Sequence, residues 1–234
     1  MTPEKPEASE EQQRKSWVPN AGAWTAAVRG GQIESRAQGT DAAILEAVAR
    51  CGAHRVLDVG CGEGRLAHTL AERGCEVVGV DGSARLIAAA CEEAGRFLHL
   101  SYADLVAAPQ RLGADFDAAV CNFSLLDEEV VPLLNALRGR LRPQGHLLIQ
   151  TVHPFGKGSE PYEDGWRTET FAGFGDTFAE PMPWYFRTFS SWIEVVHRSG
   201  YAVEHCVEPV PEQGGSPLSL LVGCTKAARS SSRS

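Results

Sequence analysis

The chain has 234 residues, 43% of them hydrophobic, and a formal net charge of −8 at neutral pH. That supports one sizeable core with at most a small appended cap, and no apolar run approaches the roughly 20 residues that span a bilayer. The acidic balance argues against a nucleic-acid partner, because phosphate backbones are bound by concentrated Lys and Arg.

Residues 1–15 and 227–234 are polar, with little to bury. They are expected to be disordered arms flanking a single domain over 16–226. The stretch from Thr2 to Lys15 lacks the apolar segment of a secretory signal. The seven cysteines are widely spaced, with no CxxC pair. They read as reduced thiols of a cytoplasmic protein without a metal site.

Between the arms, helix-like and strand-like segments alternate. Thr40 is placed to cap a helix running to about Arg50, with Ile44, Leu45 and Val48 on one face. Arg55–Val59 is a short apolar strand. Arg65–Arg73 reads as a helix stopped by Gly74. Glu76–Val80 is the second strand, and Ser83 is placed to cap a helix through about Glu93. Phe97–Ser101 and Asp117–Cys121 are the third and fourth strands.

Asp127 is expected to cap a helix with Val130, Leu133, Leu134, Leu137 and Leu141 on one stripe. Pro143–Gly145 then turns the chain into a fifth strand, His146–Thr151. Short, continuously apolar strands separated by helices predict a parallel sheet covered on both faces. Ser191 and Glu194 form a candidate capping box for a last helix ending at Gly200. Tyr201–Val207 and Leu218–Thr225 complete the pattern as an antiparallel hairpin. The stretch 155–192 holds 11 of the chain's 18 aromatics, enough to predict a cap over about 155–187. Because it follows the ligand-binding edge of the sheet, it is expected to act as a lid.

The chemistry centres on Asp58-Val59-Gly60-Cys61-Gly62-Glu63-Gly64, between a strand and a helix. Glycines there permit a tight turn and close ligand approach. Asp81 ends the next strand, 17 residues beyond Gly64, near the roughly 20 usual for a ribose-binding acid. Such a loop alone also suits a dinucleotide. Asp58 and Glu63, however, would repel a pyrophosphate and would attract a sulfonium and an ammonium.

Five stretches, in order from about Thr40 to Thr151, resemble the class I S-adenosylmethionine (SAM)-dependent methyltransferases. They are Val56–Gly64, Val77–Asp81, Ala103–Leu105, Phe116–Asn122 and Leu141–Ile149. The likeness is greatest to the small-molecule branch that includes ubiquinone- and menaquinone-pathway enzymes. It implies a Rossmann-like, doubly wound α/β sheet in three αβα layers, mostly parallel, with an antiparallel C-terminal strand. SAM would be the cofactor and S-adenosylhomocysteine (SAH) the product, with no metal.

The resemblance places Asp58, Gly60, Cys61 and Gly62 around the methionine part and Asp81 on the ribose. Asp104 would accept from the adenine amino group, with Ala103 and Leu105 alongside. Asn122 and Phe123 would line the sulfonium side. Gly82 stands where the family often has an aliphatic residue under adenine, so Leu86 or Leu105 is expected to supply that contact.

The acceptor side has no comparable motif, because methyl transfer needs mainly alignment and exclusion of water. His153, just past the fifth strand, is a candidate base or orienting group. Tyr185 is the other catalytic candidate and, with Arg187, could recognise a polar acceptor. Trp17 and Trp24 are expected to close the pocket, and Arg36 to pair with the SAM carboxylate. The expected function is methyl transfer to a small molecule by a monomer or homodimer, without nucleic acid or membrane. The alternatives are methylation of tRNA or protein, and a SAM-binding protein that catalyses nothing.

Overall fold

The computed structural model describes residues 9–93, 95–155, 161–174 and 177–227. Residues 1–8 and 228–234, expected as disordered arms, lie outside that description. Seven strands form one sheet: β1 (Arg55–Val59), β2 (Glu76–Asp81), β3 (Arg96–His99), β4 (Phe116–Asn122), β5 (Leu141–Val152), β8 (Tyr201–Val207) and β9 (Ser219–Lys226). Their order is β3-β2-β1-β4-β5-β9-β8. Only β9 runs against its neighbours, pairing antiparallel with both β5 and β8.

Alternation along the strands divides the core in two. Val56, Ala118, Val120, Leu148 and Leu221 face α2 (Asp41–Arg50) and α3 (Arg65–Glu72), meeting Ile44, Val48, Leu66 and Leu70. Leu57, Ala119, Cys121, Leu147, Ile149 and Val222 face the other way. There they meet Leu105 of α5 (Tyr102–Ala107), Leu134 and Leu137 of α6 (Val131–Arg138), and Trp192 and Val196 of α7 (Phe189–Arg198). The predicted three-layer αβα arrangement is therefore present. Helix α4 (Ala84–Ala90) packs against β2 and β3. Among the described residues no helix is long and apolar enough to cross a membrane.

Several local expectations change. Residues 9–15 are the first turns of a helix, α1 (Ser9–Arg29), rather than part of an arm. Gln13, Trp17, Asn20, Ala21, Trp24 and Val28 recur at helical spacing on it, and Gln13, Asn20, Ala21 and Val28 are buried. Polar members of that stripe bond across to other elements, so apolar periodicity alone does not reveal it. At the other end, Ala227 donates to Gly200 O at 2.9 Å instead of starting a loose tail.

Asp127 is not the N-cap of α6, which is Val130; the helix starts at Val131, and Pro132 is tolerated because the first turn needs no N–H there. Leu141 leaves the helix stripe and opens β5, pairing with Phe116. The expected turn at 143–145 is an irregularity within that strand. Ser83 caps α4 as expected, through Leu86 N. Thr40 precedes α2 but makes no side-chain cap. Thr188, not Ser191, caps α7; Ser191 N donates to Thr188 Oγ1.

The aromatic segment contains a two-stranded antiparallel hairpin, β6 (Gly165–Glu169) with β7 (Met182–Phe186). Phe171 stacks on Phe178 at 4.3 Å and meets Trp17 of α1 edge-on at 6.4 Å. Asn20 of α1, fully buried, accepts from Ala179 N and Glu180 N and donates to Glu180 O. Cap and first helix are thereby joined by both polar and aromatic contacts.

Candidate functional site

The sheet order reverses between β1 and β4, and open α/β sheets bind ligands at the carboxyl ends of strands flanking such a reversal. A cavity of 660 Å³ lies there, beneath α1. The glycine loop forms its floor. Gly60 has φ +72°, and a Cβ on it would stand 2.3 Å from Ser124 Cβ, so both conformation and space require glycine. Gly60 N and Cys61 N both donate to Val80 O, holding the loop against β2.

Asp81 accepts from Gly62 N at 3.0 Å on Oδ2 and from Ser83 N at 2.7 Å on Oδ1. Both oxygens retain lone pairs, a suitable acceptor pair for a vicinal diol. Asp104 closes a capping box with Ser101. Its Oδ2 accepts from both Ser101 N and Ser101 Oγ, and these bonds hold its carboxyl below the usual carboxylate range. Gly82 and Leu86 line the cavity with Asp104.

The opposite wall is the end of β4. Phe123 adopts φ +54°, uncommon for a bulky residue, and its N–H donates to Gln150 O. Ser124 Oγ donates to Val59 O, and the buried Tyr102 hydroxyl donates to Ser124 O at 2.7 Å. Leu126 O accepts from Gln13 Nε2 of α1 and from Tyr185 N of β7. The wall, first helix and cap thus meet at one carbonyl.

The electrostatics are unusual for so enclosed a space. Asp58 is 1% exposed, and burial pushes its carboxyl from 3.8 up to about 7, against the opposing pull of Arg65. Burial and the neighbouring Arg65 lower Arg36 to about 10. Four buried polar atoms in the lining have no hydrogen-bond partner among the described residues: Asp58 Oδ2, Asn122 Oδ1, Arg36 Nη1 and Arg65 Nε. Unsatisfied buried groups cost stability, and a ligand can satisfy them. An α-amino acid zwitterion fits: its carboxylate suits the guanidinium, and its ammonium suits the carboxylate and amide oxygens.

Of the residues singled out from sequence, Trp17, Trp24, Arg36, Asp58, Gly60, Cys61, Gly62, Asp81, Gly82, Asp104, Asn122 and Phe123 come together here. Trp17 and Trp24 meet edge to face at 5.4 Å, and Arg36 lies over the Trp24 ring.

Others do not. Leu105 is fully buried in the core under α5, and Ala103 is exposed outside the lining. His153 is outside as well. Its Nε2 pairs with Glu208 Oε1 at 2.7 Å, and its Nδ1 accepts from Phe155 N. Tyr185 packs on Trp166 and under Arg187. Arg187 is 3% exposed and donates to Asp127 O and Glu128 O, bracing the loop after β4 from behind.

Residues not singled out as site residues also line the cavity, among them Gln13, Arg65, Tyr102, Ser124, Leu126 and Asp127. Of these, Gln13 alone had a readable signal, one turn before Trp17 on the α1 stripe.

Comparison with known proteins agrees with this geometry. Residues 56–145 match a methyltransferase domain family. A ubiquinone biosynthesis O-methyltransferase of Alkalilimnicola ehrlichii is 32% identical over 121 residues, 47% of each chain. An uncharacterised methyltransferase of Mycobacterium tuberculosis is 38% identical over 114 residues, 47% of this chain and 56% of that one. The chain thus spans about half the length of the curated relatives it matches. Among solved structures, the Burkholderia thailandensis 1,6-didemethyltoxoflavin-N1-methyltransferase, with its acceptor and SAH bound, superposes with a TM-score of 0.65. Identity is 17%, covering 96% of this chain and 93% of that one. The magnesium protoporphyrin IX methyltransferase of Synechocystis, with SAM bound, gives 0.64 at 14% identity, covering 94% and 98%. At such identities the shared feature is the fold.

Proposed function

We propose that this chain, whose residues 56–145 match a methyltransferase domain family, is a class I SAM-dependent enzyme that binds SAM and methylates a small-molecule acceptor. The observation that carries the reading is the set of unpartnered buried atoms on Asp58, Asn122 and Arg36, in one cavity with Asp81. They are complementary to an amino acid zwitterion at one end and a ribose diol at the other.

In this reading Arg36 holds the SAM carboxylate, Asp58 and Asn122 the ammonium, and Asp81 the ribose hydroxyls. Asp104 has its Oδ2 bonded within the capping box and faces the cavity, where it can accept from the adenine amino group. Leu86 supplies the apolar contact that Gly82 lacks. SAM brings a methyl group already activated by a positive sulfur, so the protein's task is alignment and exclusion of water. Helix α1 contributes the exclusion, with Trp17 and Gln13 over the wall formed by Phe123 and Leu126. The acceptor lies between those groups. His153 and Tyr185 are assigned no proton transfer, because neither lines the cavity.

Isothermal titration of the chain with SAM and SAH tests the reading. Micromolar-range binding of both is expected, and absence of heat for either would remove it. Turnover with candidate small acceptors, followed as SAH release, then tests the transfer itself.

A further inference from the structure

One buried polar group near the cavity has no part in the reading above. Gln150 lies in β5, 1% exposed, among Leu148, Ile149 and Leu221. Burying an amide in such a place is costly unless its hydrogen bonds are made. Its Nε2 donates to Thr40 O at 3.1 Å and to Ser219 Oγ at 2.9 Å, so both amide hydrogens are used, while its Oε1 has no partner among the described residues.

Thr40 ends a kinked turn, Arg36–Thr40, which joins directly to α2. The turn depends on Gly39 at φ +146°, ψ −18°, a conformation side chains other than glycine rarely adopt. At its far end Asp41 N donates back to Arg36 O. Arg36 is the residue the turn presents to the cavity, with Arg65 as a like-charged neighbour there. Two guanidiniums facing one space repel, so the backbone that carries Arg36 must be fixed.

We propose that Gln150 is a positioning residue: through Thr40 O it fixes the kinked turn that aims Arg36 at the amino acid end of the cofactor. This rests on the SAM-binding reading. The Gln150 side chain does not line the cavity, and its backbone meets the wall only through Phe123 N.

The test is titration of SAH and of methylthioadenosine, which has no amino acid end, against wild type, Q150L, S219A, R36A and Q150L/R36A. Q150L should weaken SAH by about three- to tenfold, the loss expected for one buried hydrogen bond, and leave methylthioadenosine within twofold. S219A removes only the other partner of the amide and should bind both ligands as wild type does. In the R36A background Q150L should add nothing further.

Equal weakening of both ligands by Q150L, additivity with R36A, or unchanged SAH binding would each overturn the proposal. A wild-type chain that binds neither ligand would remove the SAM reading and this proposal with it. If Q150L does not fold, G39A strains the same turn one residue before Thr40. A Cβ there meets nothing nearer than 3.8 Å, so the strain is conformational. It should show the same selective loss of SAH, and equal loss of both ligands would overturn the proposal.

Discussion

The amide of Gly62 donates to Asp81 Oδ2 at 3.0 Å, tying the glycine loop to the end of the neighbouring strand. The acid read as the ribose ligand is therefore also a strut of the loop that would hold methionine. Asp81→Ala should act twice. Loss of charge-assisted ribose bonds should weaken SAM by roughly 1.5–3 kcal/mol each. Loss of the Gly62 and Ser83 bonds should lower the melting temperature even without ligand. Titration and thermal melts on one preparation separate the two, and unchanged SAM affinity would mean the ribose lies elsewhere.

Asp58 makes a pH dependence. Its carboxyl is raised from 3.8 to about 7 by burial. The folded chain thus binds more protons at this group than the unfolded one between those values. Stability from this group falls as pH rises from about 4 to about 7 and is level above. Asp58→Asn should therefore raise the melting temperature of the free protein at pH 8, by about 2–4 °C per kcal/mol relieved.

Ligand binding should run the other way. An ammonium requires the ionised carboxylate, so SAM affinity should rise by up to about tenfold per pH unit towards 7. It should fall again as the ligand's own α-amino group deprotonates near about 7.7–8.0. Titrations from pH 5.5 to 8.5 check this. A flat wild-type profile, or an Asn variant with the same slope, would separate Asp58 from the ligand.

Asn20 joins α1 to the cap through Ala179 N, Glu180 N and Glu180 O. Asn20→Ala hands those groups, which belong to exposed residues, to water, so the expected cost is about 0.5–1.5 kcal/mol per lost bond. Hydrogen exchange should accelerate at Ala179 and Glu180, with Trp17 and Trp24 fluorescence becoming more solvent-like. Exchange unchanged from wild type would show that the aromatic contacts alone hold the cap.

Particular residues show why sequence disclosed some of this and not the rest. Asp58, Gly60, Gly62, Asp81 and Asn122 were legible because each sits at the end of an apolar strand, where period and position coincide. Leu105 was misjudged because neighbours on a short helix face opposite ways: Asp104 lines the cavity while Leu105 is in the core. Helix α1 was only half legible, since Gln13 and Asn20 are buried through hydrogen bonds to residues more than 100 positions away. Gln150 in a strand looks like any polar interruption until Thr40 is placed beside it. The acceptor side is hardest, because packing and recognition use the same aromatics.

His153 offers the sharpest check on the acceptor side. It follows the fifth strand, as a base in this fold could, yet its Nε2 is paired with Glu208 and its Nδ1 accepts from Phe155 N. The ring is 4% exposed and does not line the cavity. Its role here is to fix the chain leaving β5. His153→Gln should then lower stability by about 0.5–1.5 kcal/mol per lost bond while kcat stays within about twofold. A general base would behave differently, losing roughly 100-fold or more in rate with a changed pH profile. Steady-state kinetics with any accepted substrate decide the matter. A loss on that scale would require the loop after β5 to swing into the cavity during turnover.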